Sequence, residues 1–278
     1  MNETEYELSK ELWHECFPED GSDFIERYYR ERSKPEYALG AFPRGSRRPA
    51  AMLHMIPVKM SFGGKAKDIC FVAGVCTAVR YRRRGICGKL FQKAFEIMRD
   101  RGFDATVLQP FDPRFYERFG YKTFITRQNA AISYEEPRSL GQSDEEPAIA
   151  PDSEKLLSLY RGFTRGFSGC TIRDEEYFKG FIEEFSADGA RLVCTENGCC
   201  AGYEEGEGEF VAYELFFRDG ADPVKLLPPG FCKYVFPLPI GAKAPEGSFT
   251  VIEGFSMIMP LAADFVMGDG PFYGFDRY

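Results

Sequence analysis

Histidine is scarce in this 278-residue chain, at two residues, and tryptophan occurs once. With only His14 and His54, and no C-x-x-C pair among nine cysteines, a zinc-type site has almost no ligand set to draw on. Cys194, Cys199 and Cys200 therefore read as free thiols, and no metal is expected. No apolar run approaches the ~20 residues of a membrane helix. The start, Met1-Asn2-Glu3-Thr4-Glu5, lacks the basic and apolar regions of a signal peptide. An excess of cations is also missing: 35 Lys and Arg against 43 Asp and Glu leave a net charge of -8, which argues against nucleic acid as a partner. An odd number of irregularly spaced cysteines points to a reduced cytoplasm. Neither the dinucleotide loop G-x-G-x-x-G nor the triphosphate loop G-x-x-x-x-G-K-S/T is present.

What is present is enough apolar material for two domains: 44% hydrophobic residues, with 27 Phe and 15 Tyr. Two amphipathic helices open the chain, over 5–16 and 24–32, the second with Ser22 or Asp23 as its cap. Strands are predicted over 37–42, 50–62 and 66–79, the last two joined through a tight turn at Gly63-Gly64. A helix to Arg101, a strand over 105–109, a short helix and a strand over 122–134 complete a first domain, 1–135. Residues 136–151 are polar, acidic and proline-bearing, as in a linker. From 152 to 278 the early order returns: helices over 152–167 and 174–185, then strands over 191–195, 199–204 and 209–217. The tail holds strand-like stretches at 249–253 and 255–259 and an aromatic end that is expected to dock onto the body.

The most informative segment is Val75-Cys76-Thr77-Ala78-Val79-Arg80-Tyr81-Arg82-Arg83-Arg84-Gly85-Ile86-Cys87-Gly88. A β-branched strand runs into a basic, glycine-bearing turn, after which Ile86, Leu90, Phe91, Ala94, Phe95 and Met98 recur at helical spacing. A helix start carries unpaired N–H groups and the positive end of the dipole, which together bind phosphate. Gly85 and Gly88 allow close approach to the backbone, and Arg82, Arg83 and Arg84 add charge, so the turn reads as a pyrophosphate cradle.

Arg82-Arg83-Arg84-Gly85-Ile86-Cys87 resembles the R/Q-x-x-G-x-G/A acetyl-CoA loop of the GNAT acyltransferase superfamily, with Cys87 where Gly or Ala is usual. Phe115-Tyr116-Glu117-Arg118-Phe119-Gly120-Tyr121 resembles the F-Y-x-x-x-G-F/Y segment that closes the cofactor region there. With a second half lacking the loop, the chain resembles the family of the enhanced intracellular survival protein, closely over residues 70–125. Members are often longer, with a third, sterol-carrier-like domain, which the resemblance leads us to expect missing or shrunk here.

The resemblance implies an α+β fold of tandem GNAT-like domains, each a mostly antiparallel twisted sheet flanked by helices, the second without cofactor. It implies a cytoplasmic acetyl-CoA-dependent N-acetyltransferase acting directly on a primary amine of a small molecule or peptide, and family members commonly form homo-oligomers. Val75, Cys76 and Thr77 would serve the pantetheine arm through their backbone, and Arg82, Arg83, Arg84, Gly85, Ile86, Cys87 and Gly88 the pyrophosphate. Tyr116 corresponds to the general acid toward the CoA thiolate, with a core tyrosine as the competing reading. The terminal carboxylate of Tyr278 corresponds by position to the general base, with Asp276, Glu117 and Asp112 as alternatives. Two rival functions stay open: a CoA-binding regulatory module without turnover, and a transferase using another acyl-CoA.

Overall fold

The computed structural model describes residues 1–139, 149–187, 189–268 and 271–273. Helix α1 (Glu3–Cys16) begins in a capping box, in which the Asn2 side chain accepts from the Glu5 N–H and Glu5 reaches back to the Asn2 N–H. Helix α2 (Ser22–Glu31) starts at Gly21 without a side-chain cap; Ser22 and Asp23 lie inside its first turn instead of before it, where Asp23 favours the dipole.

Strands β1 (Ala38–Ala41), β2 (Ala51–Phe62) and β3 (Lys65–Thr77) form an antiparallel meander. Gly63 and Gly64, at φ 55° and 74°, make the expected tight turn between the last two, a conformation that β-branched residues resist. Helix α3 (Ile86–Asp100) then crosses over to β4 (Ala105–Leu108), parallel to β3. A short helix α4 (Pro113–Glu117) leads into β5 (Lys122–Ser133). Beyond it come α5 (Ser153–Thr164), the two-residue β6 (Cys170–Thr171), α6 (Glu175–Ala187), β7 (Arg191–Cys194), β8 (Gly198–Glu204), β9 (Glu209–Phe217), β10 (Lys233–Leu238) and β11 (Phe249–Pro260).

The fold is mixed α/β, and the described strands make one mostly antiparallel sheet in the order β1-β2-β3-β4-β11-β5-β10-β9-β8-β7, with β6 beside β2. The final strand, β11, lies between β4 and β5, so the two halves share a sheet. Both faces of its first part are covered, which is why β2 reads as an almost unbroken apolar run. Met52 and Ile56 face Tyr6, Trp13, Tyr28 and Tyr29 of α1 and α2. Leu53 and Met55 face Leu90, Phe91, Ala94 and Phe95 of α3, the stripe expected from periodicity. In the second half, α5 and α6 pack on β8 and β9 through Leu156, Tyr160, Phe178, Cys199 and Phe216.

One element was not foreseen and another differs from the sequence expectation. Strand β10, in a stretch to which the sequence assigned no element, is central, between β5 and β9; its pairing to β9 stops at Val235, before Pro237. The stretches 249–253 and 255–259 form one strand with a bulge between Gly254 and Ser256. The linker predicted over 136–151 falls partly outside the described residues, at 140–148. Arg138 before that gap is fixed on the second half, donating from its backbone to Phe231 O and from Nη1 to Leu227 O. The tail docks as far as Tyr273, which is buried and donates its N–H to Ser168 O, while the Ser168 N–H donates to Pro271 O; 274–278 lie outside the described residues.

Candidate active site

Strand β3 pairs with β4 only from Ile69 to Phe71, yet β3 runs on to Thr77. Strand β4 ends at Leu108, so beyond that point one backbone edge of β3 has no partner in β4. A bulge bends β3 in the same region: its register against β2 shifts between Met52 and His54, and Gly74 sits at φ 58° with the Trp13 ring against it. Beside this part of β3 lies a cleft of about 920 Å³.

The cleft brings together nearly all the residues assigned from sequence. Val75, Cys76 and Thr77 line it along the free edge, and Arg82, Arg83, Gly85, Ile86, Cys87 and Gly88 line its basic end. Arg84 is exposed beside it, its guanidinium 5.5 Å from the Tyr81 ring centre, and is not part of the lining. Gly85 caps α3 in the left-handed region at φ 73°, where a side chain would be strained although the space beside it is open. Arg83 also has positive φ, 61°, a rare state for a residue with a side chain. Such backbone strain gathers at ligand-binding turns. The turn has the donors, dipole and charge that hold a pyrophosphate.

Arg82 is already engaged: its Nε donates to Thr77 O at 3.0 Å, tying the basic turn back to the strand. The Thr77 carbonyl also accepts from Cys16 Sγ at 3.6 Å. Of Val75, Cys76 and Thr77, the residues expected at a pantetheine arm, Thr77 thus spends its carbonyl internally.

Sequence reasoning missed part of the lining. Cys16 and Phe17 arrive from the end of α1, with no signal in the 75–88 segment. Arg118, inside the second motif, adds a third cation and is held by Phe115 and Phe119, whose ring centres lie 4.1 and 4.7 Å from its guanidinium. An Arg between two aromatic residues was the available clue.

Tyr116 is buried behind the cleft, ringed by Phe91, Phe111, Phe115 and Tyr121, and is not among the lining residues. Burial, with a smaller contribution from Cys87, pushes its phenol well above the ordinary value, so it stays protonated. Cys87, at the glycine position of the loop, is likewise pushed up by burial, to about 11. Glu117 and Asp112 do not line the cleft, and Asp112 is committed to capping α4 and to Arg114. Asp276 and Tyr278 lie outside the described residues. Among the described residues no cluster of His, Cys, Asp and Glu could hold a metal ion, and no helix is long and apolar enough to cross a membrane.

Residues 1–124 match the family described as Acetyltransferase (GNAT) domain. Comparison with curated proteins gives no match. Among solved structures, the chain is similar to a conserved protein of unknown function from Enterococcus faecalis V583 described as a probable N-acyltransferase, with TM-score 0.73 and 14% identity over 94% of this chain and 71% of that one. It is also similar to Eis1 from Mycobacterium abscessus, at TM-score 0.67 and 15% identity over 92% and 71% of the two chains. A GCN5-related N-acetyltransferase from Kribbella flavida gives TM-score 0.71 and 17% identity over 93% and 69%. At these identities the likeness is one of fold. The first 124 residues thus match a GNAT acetyltransferase domain, and the fold of the chain is like that of Eis1 and of a probable N-acyltransferase.

Proposed function

We propose that the protein is an N-acetyltransferase that uses acetyl-CoA and passes the acetyl group directly to a primary amine of a small molecule or peptide. The observation that carries this reading is the cleft itself: an unpartnered strand edge at Val75–Thr77 leading to a left-handed, arginine-lined helix start at Arg82–Gly88. Those residues fit an extended thioester with a pyrophosphate at its far end. When bound, acetyl-CoA supplies an activated acyl group.

The chain's own residues supply position and charge. Arg82, Arg83 and Arg118, with the N–H groups of the first turn of α3, hold and orient the pyrophosphate; free N–H groups of the β3 edge face the thioester region and polarise a carbonyl placed there. Tyr116 is the proton donor toward the departing thiolate, kept neutral by burial. No carboxylate or imidazole lines the described cleft, so in this reading the amine's proton leaves through water.

The burial of Tyr116 outside the cleft lining favours one alternative, a CoA-binding module without turnover. Tyr116→Phe separates the two. For an enzyme, the variant keeps its affinity for acetyl-CoA and loses roughly a hundredfold in kcat, the usual share of a general acid. CoA release is followed with a thiol reagent across a panel of polyamines, aminoglycosides and peptide N-termini. Equal rates for both proteins would remove Tyr116 from the mechanism; binding without CoA release for any amine would favour the module.

A further inference from the structure

Strand β4 has β3 on one side and β11 on the other, and it ends at Leu108 while both neighbours run on. Met257 stands beside Leu108, so the stretch 249–256 of β11 is paired to β5 on one side and, among the described residues, has no strand on the other. The stretch 72–77 of β3 borders the same slot. Val107 stands between Phe71 and Ile258. The paired registers outward from there, with the bulge in each strand included, bring residues 75–77 of β3 level with 253–256 of β11. Residues 249–252 reach past Thr77.

The outer edges of the sheet are blunted, and this inner one is not. β1 and β7, the outermost strands, have four residues each. The Met1 ammonium donates to Ala38 O at the start of β1, and the Ile149 N–H donates to Cys194 O at the end of β7, 2.8 Å in both cases. β11 instead opens with Phe249-Thr250-Val251-Ile252, which holds no proline and no charge. Phe249 and Val251 on one face and Ile252 on the other are 59%, 51% and 61% exposed. None of the four residues lines the donor cleft. A long apolar edge left open is a template for another extended chain.

We infer that the open edge of β11 docks an extended peptide, residues 249–252 pairing with its backbone and its amino terminus being the amine that accepts the acyl group. The reaction rests on the transferase function proposed above; the edge does not. A chain paired along 249–252 and running toward β4 brings its terminus to 253–256, level with the residues 75–77 that wall the donor cleft. There the neutral amine attacks the thioester carbon: a C–N bond forms, the C–S bond breaks, one proton leaves the nitrogen and one joins the sulfur. Backbone pairing gives affinity, and side chains beside Phe249, Val251 and Ile252 add selectivity for apolar residues. A polyamine or amino sugar offers no backbone ladder. The position of the edge inside the sheet, beside the donor cleft, favours a single threaded chain over the strand of a second copy.

The probe is the pentapeptide amide Ala-Val-Thr-Val-Thr, compared with alanine amide, spermidine and two versions of the peptide N-methylated on alternate amides. CoA release is followed with a thiol reagent and acetyl-CoA affinity by calorimetry. Hydrogen exchange of residues 249–256 is followed by mass spectrometry with the peptide added alone. The peptide is expected to exceed alanine amide and spermidine in kcat/KM by about tenfold or more, as two or three backbone hydrogen bonds allow, and to lose this in at least one methylated version. It slows exchange at 249–256. Val251→Lys, a charge of the kind that blunts an edge, raises KM for the peptide about fivefold and leaves acetyl-CoA affinity unchanged. Equal kcat/KM for peptide and alanine amide, two methylated versions as good as the parent, or unaltered exchange overturns the docking site. Self-association that Val251→Lys abolishes, with peptide kinetics unchanged, gives the edge to a second copy and overturns it as well. A chain that binds no acetyl-CoA, yet is protected at 249–256 by the peptide, sinks the transferase reading and leaves the edge a peptide site.

Discussion

His54 shows how one residue's role is set by elements distant in sequence. It is fully buried, with the hydroxyls of Tyr28 and Ser33 at 3.0 and 3.2 Å from Nδ1 and with Nε2 lacking a partner. The rings of Tyr6, Trp13, Tyr28 and Tyr29 surround it. Alternation along β2 places it on the face of Met52 and Ile56, so a core position is legible in sequence; the aromatic cage from α1 and α2 is not. Desolvation, with a lesser contribution from the chain's amino group, holds its imidazole down to about 3. The unfolded chain, with an ordinary histidine near ~6.5, then binds more protons than the folded one across that interval, and stability must fall as pH drops from ~6.5 toward ~3. At ~1.4 kcal/mol per pH unit the ceiling is ~5 kcal/mol. Urea unfolding at pH 7 and pH 4 measures it. A His54→Asn variant is less stable at pH 7 and has a flatter pH dependence; an unchanged slope would show that the acid sensitivity lies elsewhere.

At the scale of elements, the regular pieces were readable and the irregular ones carry the site. The stripe of α3 and the turn at Gly63-Gly64 follow from spacing and residue type. The bulge in β3 does not, although Gly74 inside an apolar run is the sort of signal that marks one. Its φ of 58° excludes most side chains, and a Cβ there would lie 2.7 Å from the Trp13 ring. Left-handed strain and overpacking together predict that Gly74→Ala costs ~2–4 kcal/mol in a denaturant titration. Because the bulge adjoins Val75, Cys76 and Thr77 in the cleft wall, the variant should also bind acetyl-CoA more weakly. Full stability in Gly74→Ala would mean that the bulge relaxes at no cost.

At the scale of the molecule, the order of elements announced the fold class, but the place of β11 between β4 and β5 was beyond local reading. Nothing in residues 249–260 names the strands they join, since pairing between distant strands depends on the whole packing arrangement. The same holds for Cys16 and Phe17, delivered to the cleft by α1. The basic turn was legible because its chemistry is local: consecutive arginines, a left-handed glycine and a helix start lie within a few residues. Donor binding therefore depends first on that turn. Calorimetric titration of acetyl-CoA into the wild-type chain and into Arg83→Glu tests it most directly, because Arg83 is exposed and its reversal leaves the core untouched. Saturable one-to-one binding, weakened at least ~tenfold in the variant as a charge-assisted contact becomes a repulsion, is the predicted result. A folded wild-type protein that does not bind, or a variant that binds equally well, would contradict it.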